Sequence, residues 1–515
     1  MLTIHIEYLT GYAVATDFAD RNRAEWPPHP ARVFMAMAAA YFETGEDNTE
    51  RDALKWLEKQ GDPVIFASLV KMQEQRTVVT HYVPPNDDGS LTASVPLPKL
   101  RSGKERSFPR VCPDRPVVGF RWEADPDALT RAALKQLCGK VTRIGHSSSL
   151  VWMWVVDDDH VDPTLDKFEA DPTASAYRLR RITEGSLDEL RDRFRAADQA
   201  EFDRLSDIIS TAKGKGKIAT VNELTERFNG VRPQPVRPEF RLASSYRVIV
   251  PDSTLRSVWD DQLIVYGLQP YDTQFSRLDI VASPRVTQCL RDAAMSVLRE
   301  RAAIPESLSG HALDGSPSQQ PHASFVALPF VAARHADGHL MGAAVAMPRS
   351  ASGQERQHIL GAIAGVERLT LGKLGVWRLV PVDELGNRSA LDERNWTAAP
   401  PGAMEWASVT PIAFDAHAKS KDRSEYLAEV AEMIAAACER VGLPRPIQIA
   451  PSHVSAHEGA PTAREFPRLQ RKDGSERRHL HARLWFDRPV VGPVLLGAGR
   501  YRGYGLMRPV LEWGR

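Results

Sequence analysis

Cysteine is scarce and scattered: the 515 residues hold four, Cys112, Cys138, Cys289 and Cys438, and no two of them form a CxxC pair. That excludes a disulfide framework and a thiolate zinc site, and leaves them as small core residues. Long apolar runs are missing too. Nothing approaches the ~18 uninterrupted apolar residues of a membrane span. The opening MLTIHIEYLTGYAV lacks the basic and apolar regions of a signal peptide, so no membrane association and a cytoplasmic location are expected. Net charge is absent: 66 Lys and Arg balance 66 Asp and Glu, which excludes a chain-wide basic bias but not a local one. Nucleotide fingerprints are also lacking near the C-terminal glycines. No Gly-Lys-Ser/Thr follows them, and the third glycine of a dinucleotide turn is misplaced after Gly497-Ala498-Gly499.

What is present is concentrated at the end of the chain. The stretch VLLGAGRYRGYGLMRP, residues 494–509, carries Gly497, Gly499, Gly503 and Gly505 interleaved with Arg500, Arg502, Tyr501 and Tyr504. Dense glycine allows close backbone approach, turn N–H groups can converge on a phosphate, arginines supply charge, and tyrosine faces can stack on bases. The chemistry suits single-stranded nucleic acid, RNA above all. An ordinary glycine turn between two strands, with solvated arginines, is the plainer reading. Local charge favours the first: from residue 461 to the end, twelve Lys and Arg face five Asp and Glu.

The chain is too long for one ordinary core, and two or three domains are expected. Strands are predicted at 1–14, 77–83, 116–122 and 150–156, with helices at 31–44 and 128–137, an α+β first unit. Residues 211–238 begin with alternating glycine and lysine and end in a proline cluster, which places a boundary near 235. Beyond it the order strand (263–268, or else 276–281), helix (284–301), strand (323–331), strand (340–347), helix (353–365), strand (374–382) is the split βαβ, or ferredoxin-like, unit. A second such unit is expected from strands at 407–414, 447–453, 479–486 and 506–511 and a helix at 424–441. The fold class is therefore α+β with tandem ferredoxin-like units, at about 255–385 and 400–515 in the second domain (236–515).

Three stretches carry a resemblance: GYAVATDFADRNRAEWPPHPARVFMAM near the start, SGHALDGSPSQQPHASFVALPF with HADGHLMGAAVAMPR in the centre, and RPVVGPVLLGAGRYRGYGLMRP at the end. Together they resemble the CRISPR-associated fusion of type I-G (formerly I-U) systems, which joins the fifth and sixth numbered Cas families within the RAMP superfamily. The resemblance implies a first domain (1–235) that caps the 5′ handle of a guide RNA, and a second that cuts the repeat transcript. It implies RNA-recognition-motif-type units, no cofactor, and as partners the CRISPR repeat RNA, the mature guide RNA and the backbone and large subunits of a Cascade complex. Cleavage would need no metal, with the ribose 2′-OH attacking the adjacent phosphate. Family members can lose cleavage and keep binding, so a non-catalytic RNA-binding scaffold stays open.

Metal-free transphosphorylation wants a base, an acid and positive charge, and histidine titrates in the range for the first two. His311, in Ser309-Gly310-His311 just after the predicted helix, is the first candidate, because related processing enzymes place their catalytic histidine similarly. His322, at the far end of the same polar loop, is the second. Lys373 and Tyr271 are further possibilities for the remaining group. The His335, Asp337 and His339 trio has metal-binding donors, but Asp337-Gly338 is a hairpin signal, and the turn reading is preferred. His479 and His481 alternate along a strand with Arg477 and Arg483, so His481 and Arg483 are expected on an RNA-facing sheet, or on an ordinary exposed strand face. His29 and Arg32 in EWPPHPAR resemble the family motif, although proline packing and helix initiation account for them. Residues 177–181 (YRLRR) offer a basic strand for phosphate or for solvent.

Overall fold

The computed structural model describes the chain apart from residues 18–22, 70–74, 84–103, 157–161, 175–176, 212, 237, 239, 241, 250–252, 272–276, 313, 383–388, 399–401, 472 and 511–515, and gives 75–83, 104–107 and 389 as backbone only. It divides into two compact units: Met1–Ala170 with Arg178–Ser244, and Asp171–Tyr177 with Ser245–Arg515.

In the first unit, β1 (Leu2–Tyr8) leads to α1 (Pro30–Glu43), α2 (Asn48–Leu57), β2 (Val64–Ala67), β3 (Val117–Trp122), α3 (Ala128–Lys140), β4 (Val151–Val156) and β5 (Asp166–Ala170). Neighbouring strands pair antiparallel in the spatial order β4-β1-β3-β2-β5. The first four therefore lie fourth, first, third, second, the arrangement two interleaved βαβ halves produce. Local chemistry sets the helix starts. Pro30 fixes the first turn of α1, and Asp47 and Asp127 accept backbone N–H groups at the starts of α2 and α3. Three helices follow, α4 (Ser186–Phe194), α5 (Ala196–Thr211) and α6 (Lys215–Phe228). Helix α6 fills much of the 211–238 stretch in which a boundary near 235 is expected, and the division between the units falls beyond it, at Ser244/Ser245. Only its first residues are Gly/Lys punctuation, and Leu224 and Phe228 behind them are spaced for packing, Phe228 meeting Phe202 of α5 edge to face at 5.8 Å.

The second unit holds two further copies of the same topology. The first comprises β6 (Trp259–Pro270), α7 (Ser283–Arg299), β7 (Ser324–Pro329), β8 (Leu340–Pro348), α8 (Gly353–Ala364) and β9 (Val376–Pro381), in the order β7-β8-β6-β9. A capping box between Ser352 and Glu355 starts α8. The second copy comprises β10 (Ala403–Ser408), α9 (Arg423–Arg440), β11 (Gln448–Ser452), β12 (His479–Val491) and β13 (Met507–Pro509). Its sheet runs β13-β10-β12-β11, again fourth, first, third, second. Where the topology calls for a second helix, between β12 and β13, the chain instead runs through the glycine-rich loop. The protein is α+β, built of ferredoxin-like units. A continuous apolar core, with Trp259, Trp377, Trp396 and Trp406 fully buried, joins the two copies of the second unit. Among the described residues no helix is long and apolar enough to cross a membrane.

Candidate nucleic-acid interface

The glycine-rich loop is a compact structure braced by its own backbone. The N–H groups of Arg500, Arg502 and Tyr504 donate to the carbonyls of Gly497 and Gly499 (3.3, 2.8 and 3.2 Å), and that of Gly505 donates to Pro411 (3.0 Å). These N–H groups are thus occupied within the fold. Glycine is required at two positions in particular. Gly505 has φ +70°, and a Cβ there would lie 1.9 Å from the Leu496 carbonyl oxygen; Gly503 has φ +80°, and a Cβ would lie 2.9 Å from the Ser283 backbone at the start of α7. Gly505→Ala is expected to lower stability by at least ~1–3 kcal/mol, the cost of the strained backbone before the clash is counted, measurable by urea unfolding.

Three of the loop's charged and aromatic side chains take distinct positions. Arg502 is exposed and has no ion pair among the described residues. Arg500 is half-buried, donates from Nη1 to the Gly497 carbonyl (3.0 Å) and lies over the Tyr501 ring at 4.8 Å, while its Nε is buried without a partner. Its own carbonyl accepts from Ser324 Oγ at 2.6 Å, fastening the loop to β7. Tyr504 is different. It is 2% exposed and donates its hydroxyl to the Pro467 carbonyl, so it holds the loop and offers no face to a base.

The two histidines singled out from the sequence come to this same place. His322 stacks on Tyr501 with ring centroids 3.6 Å apart and planes 18° apart. On another side it is pressed by Gly310, where a Cβ would come within 2.8 Å of the imidazole. Burial, followed by the nearby charges of Arg291 and Arg500, pushes the His322 pKa down to about 4, so the ring is neutral at neutral pH. His311 stands one residue beyond Gly310, exposed to solvent. Its Nδ1 lies 3.1 Å from the Ser309 carbonyl oxygen. Because a carbonyl only accepts, that nitrogen carries a proton, and in the neutral ring Nε2 keeps its lone pair. The turn is anchored from α7 by Arg291, which donates to the Ser309 carbonyl. Arg291, Trp259, which donates from Nε1 to the His322 carbonyl (3.2 Å), and Ser324 were not legible as site residues, since each sits in an ordinary helix or strand pattern.

Other candidates lie elsewhere. His481 is 1% exposed, with Nδ1 3.0 Å from Ser408 Oγ and Nε2 3.1 Å from the Pro461 carbonyl, and burial pushes its pKa down to about 4. The expectation that it lines an RNA-facing or exposed strand face is corrected. β12 is flanked by strands on both edges, and residues 461–466 cover the face that His481 shares with His479, whose Nε2 meets the Ala463 carbonyl at 2.7 Å. Arg483 is half-exposed, but its charge is matched by an ion pair with Glu405. Arg477 donates to the Phe414 and Asp415 carbonyls. Around His335, Asp337 and His339 the backbone turns through Gly338 (φ +77°), Asp337 pairs with Arg277 at 2.7 Å, and His339 Nδ1 meets the same carboxylate. Lys373 occupies a short 3₁₀ turn, and the Tyr271 ring lies under Arg368 at 4.8 Å.

In the first unit the EWPPHPAR stretch is internal. Glu25 is buried, receives Arg32 through both oxygens (2.6 Å each) and Arg180 at 3.1 Å, and also accepts the His29 N–H at 3.1 Å. Arg180 donates from Nε to His29 Nδ1 (3.2 Å), which makes His29 a neutral acceptor. Arg180, from the basic strand segment, is thereby engaged with a carboxylate.

These features define a class: an α+β protein of tandem ferredoxin-like units whose last unit carries a glycine-rich, arginine-bearing loop in place of a helix. A family model described as CRISPR-associated protein, GSU0054 family, matches residues 2–201 and 257–509, and the chain belongs to that family. Its role lies in CRISPR defence. No curated protein matches the chain.

Proposed function

We propose that this protein is a repeat-RNA endoribonuclease of type I-G, which cuts the precursor guide RNA, keeps the product and joins a Cascade-type complex. Its first unit holds the 5′ handle and its second carries out the cut. The observation that carries the reading is that His322 stacks on Tyr501, between Arg500 and Arg502 in the loop, while Gly310 of the His311 turn lies against its ring, although these stretches are far apart in the chain.

The chemistry follows from that arrangement. His311 Nε2 takes the proton of a ribose 2′-OH, the 2′ oxygen bonds to the adjacent phosphorus, and the bond to the 5′ oxygen breaks in line. The leaving oxygen takes a proton from water, giving a 2′,3′-cyclic phosphate and a free 5′-OH. Arg500 and Arg502 stabilise the charge that grows on the phosphorane. His322, packed between Tyr501 and Gly310 and kept neutral chiefly by burial, supports the turn that presents His311. The same packing favours the second reading, a non-catalytic scaffold, because it removes one of the two histidines from the open surface.

Incubation with labelled repeat RNA in EDTA, beside a substrate with a 2′-deoxy ribose just upstream of the cut, separates the two. Cleavage of the first and not the second supports the nuclease; tight binding without any cleavage supports the scaffold. For the loop, Arg500→Ala and Arg502→Ala are each expected to weaken RNA binding and to reduce the slope of log affinity against log salt by about 0.7, the counterion release per single-strand phosphate contact. An unchanged slope would count against phosphate binding there.

A further inference from the structure

Helix α7 contributes a cation that the glycine-rich loop alone would not suggest. Arg291 follows Leu290 on the edge of the buried face of α7, and its side chain is 21% exposed. Its nearest carboxylate among the described residues is Asp292, at 4.0 Å, which is itself 54% exposed and held through both oxygens by Gln288 (2.9 and 2.8 Å). So the Arg291 charge is poorly compensated. Its one hydrogen bond is to the Ser309 carbonyl, on the turn that presents His311. Burial first, and then the nearby charge of Arg502, holds its pKa below the usual guanidinium range. Two arginines brought together with no shared carboxylate repel each other, and a half-buried guanidinium whose acid stands 4.0 Å away and is also held by Gln288 is costly to keep. An anion placed between them removes both penalties. By contrast, the charges of Arg483, Arg32 and Arg180 already meet carboxylates.

We propose that Arg291 is a third phosphate-binding residue of this interface, supplied by helix α7 beside Arg500 and Arg502. The inference rests on the reading that the loop binds the RNA backbone. The guanidinium does two things there: it ties the Ser309–His311 turn to α7, and it places a fixed donor next to the scissile phosphate.

The test uses the full chain and a labelled repeat RNA with a 2′-deoxy ribose at the cut, so that binding is measured without turnover. Affinity is followed over a range of KCl concentrations for wild type, Arg291→Gln, Arg291→Lys and Arg500→Ala, with thermal unfolding run on each to establish that it folds. Arg291→Gln keeps an amide donor for Ser309 and loses only the charge. It is expected to bind about fivefold more weakly at low salt and to lower the salt slope by about 0.7, whereas Arg291→Lys retains the slope. A salt slope counts cations, so a purely structural loss would not move it. If Arg291→Gln keeps the wild-type slope and affinity while Arg500→Ala loses both, the inference about Arg291 is overturned and the loop reading stands. If neither variant changes the slope, the loop reading fails with it.

Discussion

Protein carrying His311→Ala should bind repeat RNA with close to wild-type affinity and leave it uncut. Proton transfer from a positioned side chain is worth roughly 10²–10⁴ in rate, and no second exposed imidazole stands at this site to replace it. The substitution should cost little in stability. The side chain is exposed, and its one contact is to the carbonyl of Ser309, two residues away. The turn itself does not depend on the ring, because Arg291 holds Ser309 and Gly310 packs on His322. Single-turnover cleavage with enzyme in excess isolates the chemical step, and EDTA should leave the wild-type rate unchanged. Undiminished cutting by His311→Ala would remove this residue from the mechanism. Loss of cutting together with loss of binding would place it in recognition instead. His322→Ala is a useful contrast, since removing a stacked, half-buried ring should disturb Tyr501 and lower both binding and stability.

Much of this architecture can be read from the chain because its signals are local. The continuous apolar runs of β7 and β8 about an Asp-Gly turn, the amphipathic face of α7 and the capping box of α8 each point to the same unit, and the strands then pair as a split βαβ must. The glycine-rich loop was legible for a similar reason: its composition suits no helix. What could not be read depends on contacts between distant residues. A period of two places His481 on one face of β12 with His479, but whether that face meets solvent depends on residues 461–466, which carry no pairing signal. Arg483 looks free until Glu405 arrives from β10. Arg291 reads as an ordinary helix-edge arginine, and only the fold brings Ser309 and Arg502 to it. Helix α6 was obscured by the Gly/Lys alternation at its start. The first unit's strand order follows from pairing across its α/β segments, and the opening residues suggested only a strand and a helix.

The buried network around Glu25 carries the largest expected effect on stability. Its carboxylate is fully enclosed, which alone would raise its pKa, yet His29, Arg32 and Arg180 outweigh burial and bring it down to about 2. At neutral pH, where His29 is uncharged, the two arginines supply the compensating charge. Glu25→Ala would remove from both guanidiniums the buried carboxylate that balances them, and loss of one member of a buried pair typically costs ~3–5 kcal/mol. The pH dependence has a definite sign. Glu25 holds its proton less tightly folded than unfolded, so its contribution is complete above its ordinary value of 4.5 and is lost as pH falls through about 2. His29, pushed down from 6.5 to about 4 chiefly by burial, acts in the same direction, and folding loses its contribution as pH drops from 6.5 towards 4. The wild-type first unit should therefore weaken steadily on acidification below about pH 6.5. Hydrogen exchange of the α1 amides, which begin at Ala31 just after the His29–Pro30 step, reports on this unit directly. In Glu25→Ala those amides should exchange at least a hundredfold faster at neutral pH, in line with ~3 kcal/mol or more at about 1.4 kcal/mol per factor of ten. Wild-type protection in that variant would mean that the arginines find other partners and that the carboxylate is dispensable to the fold.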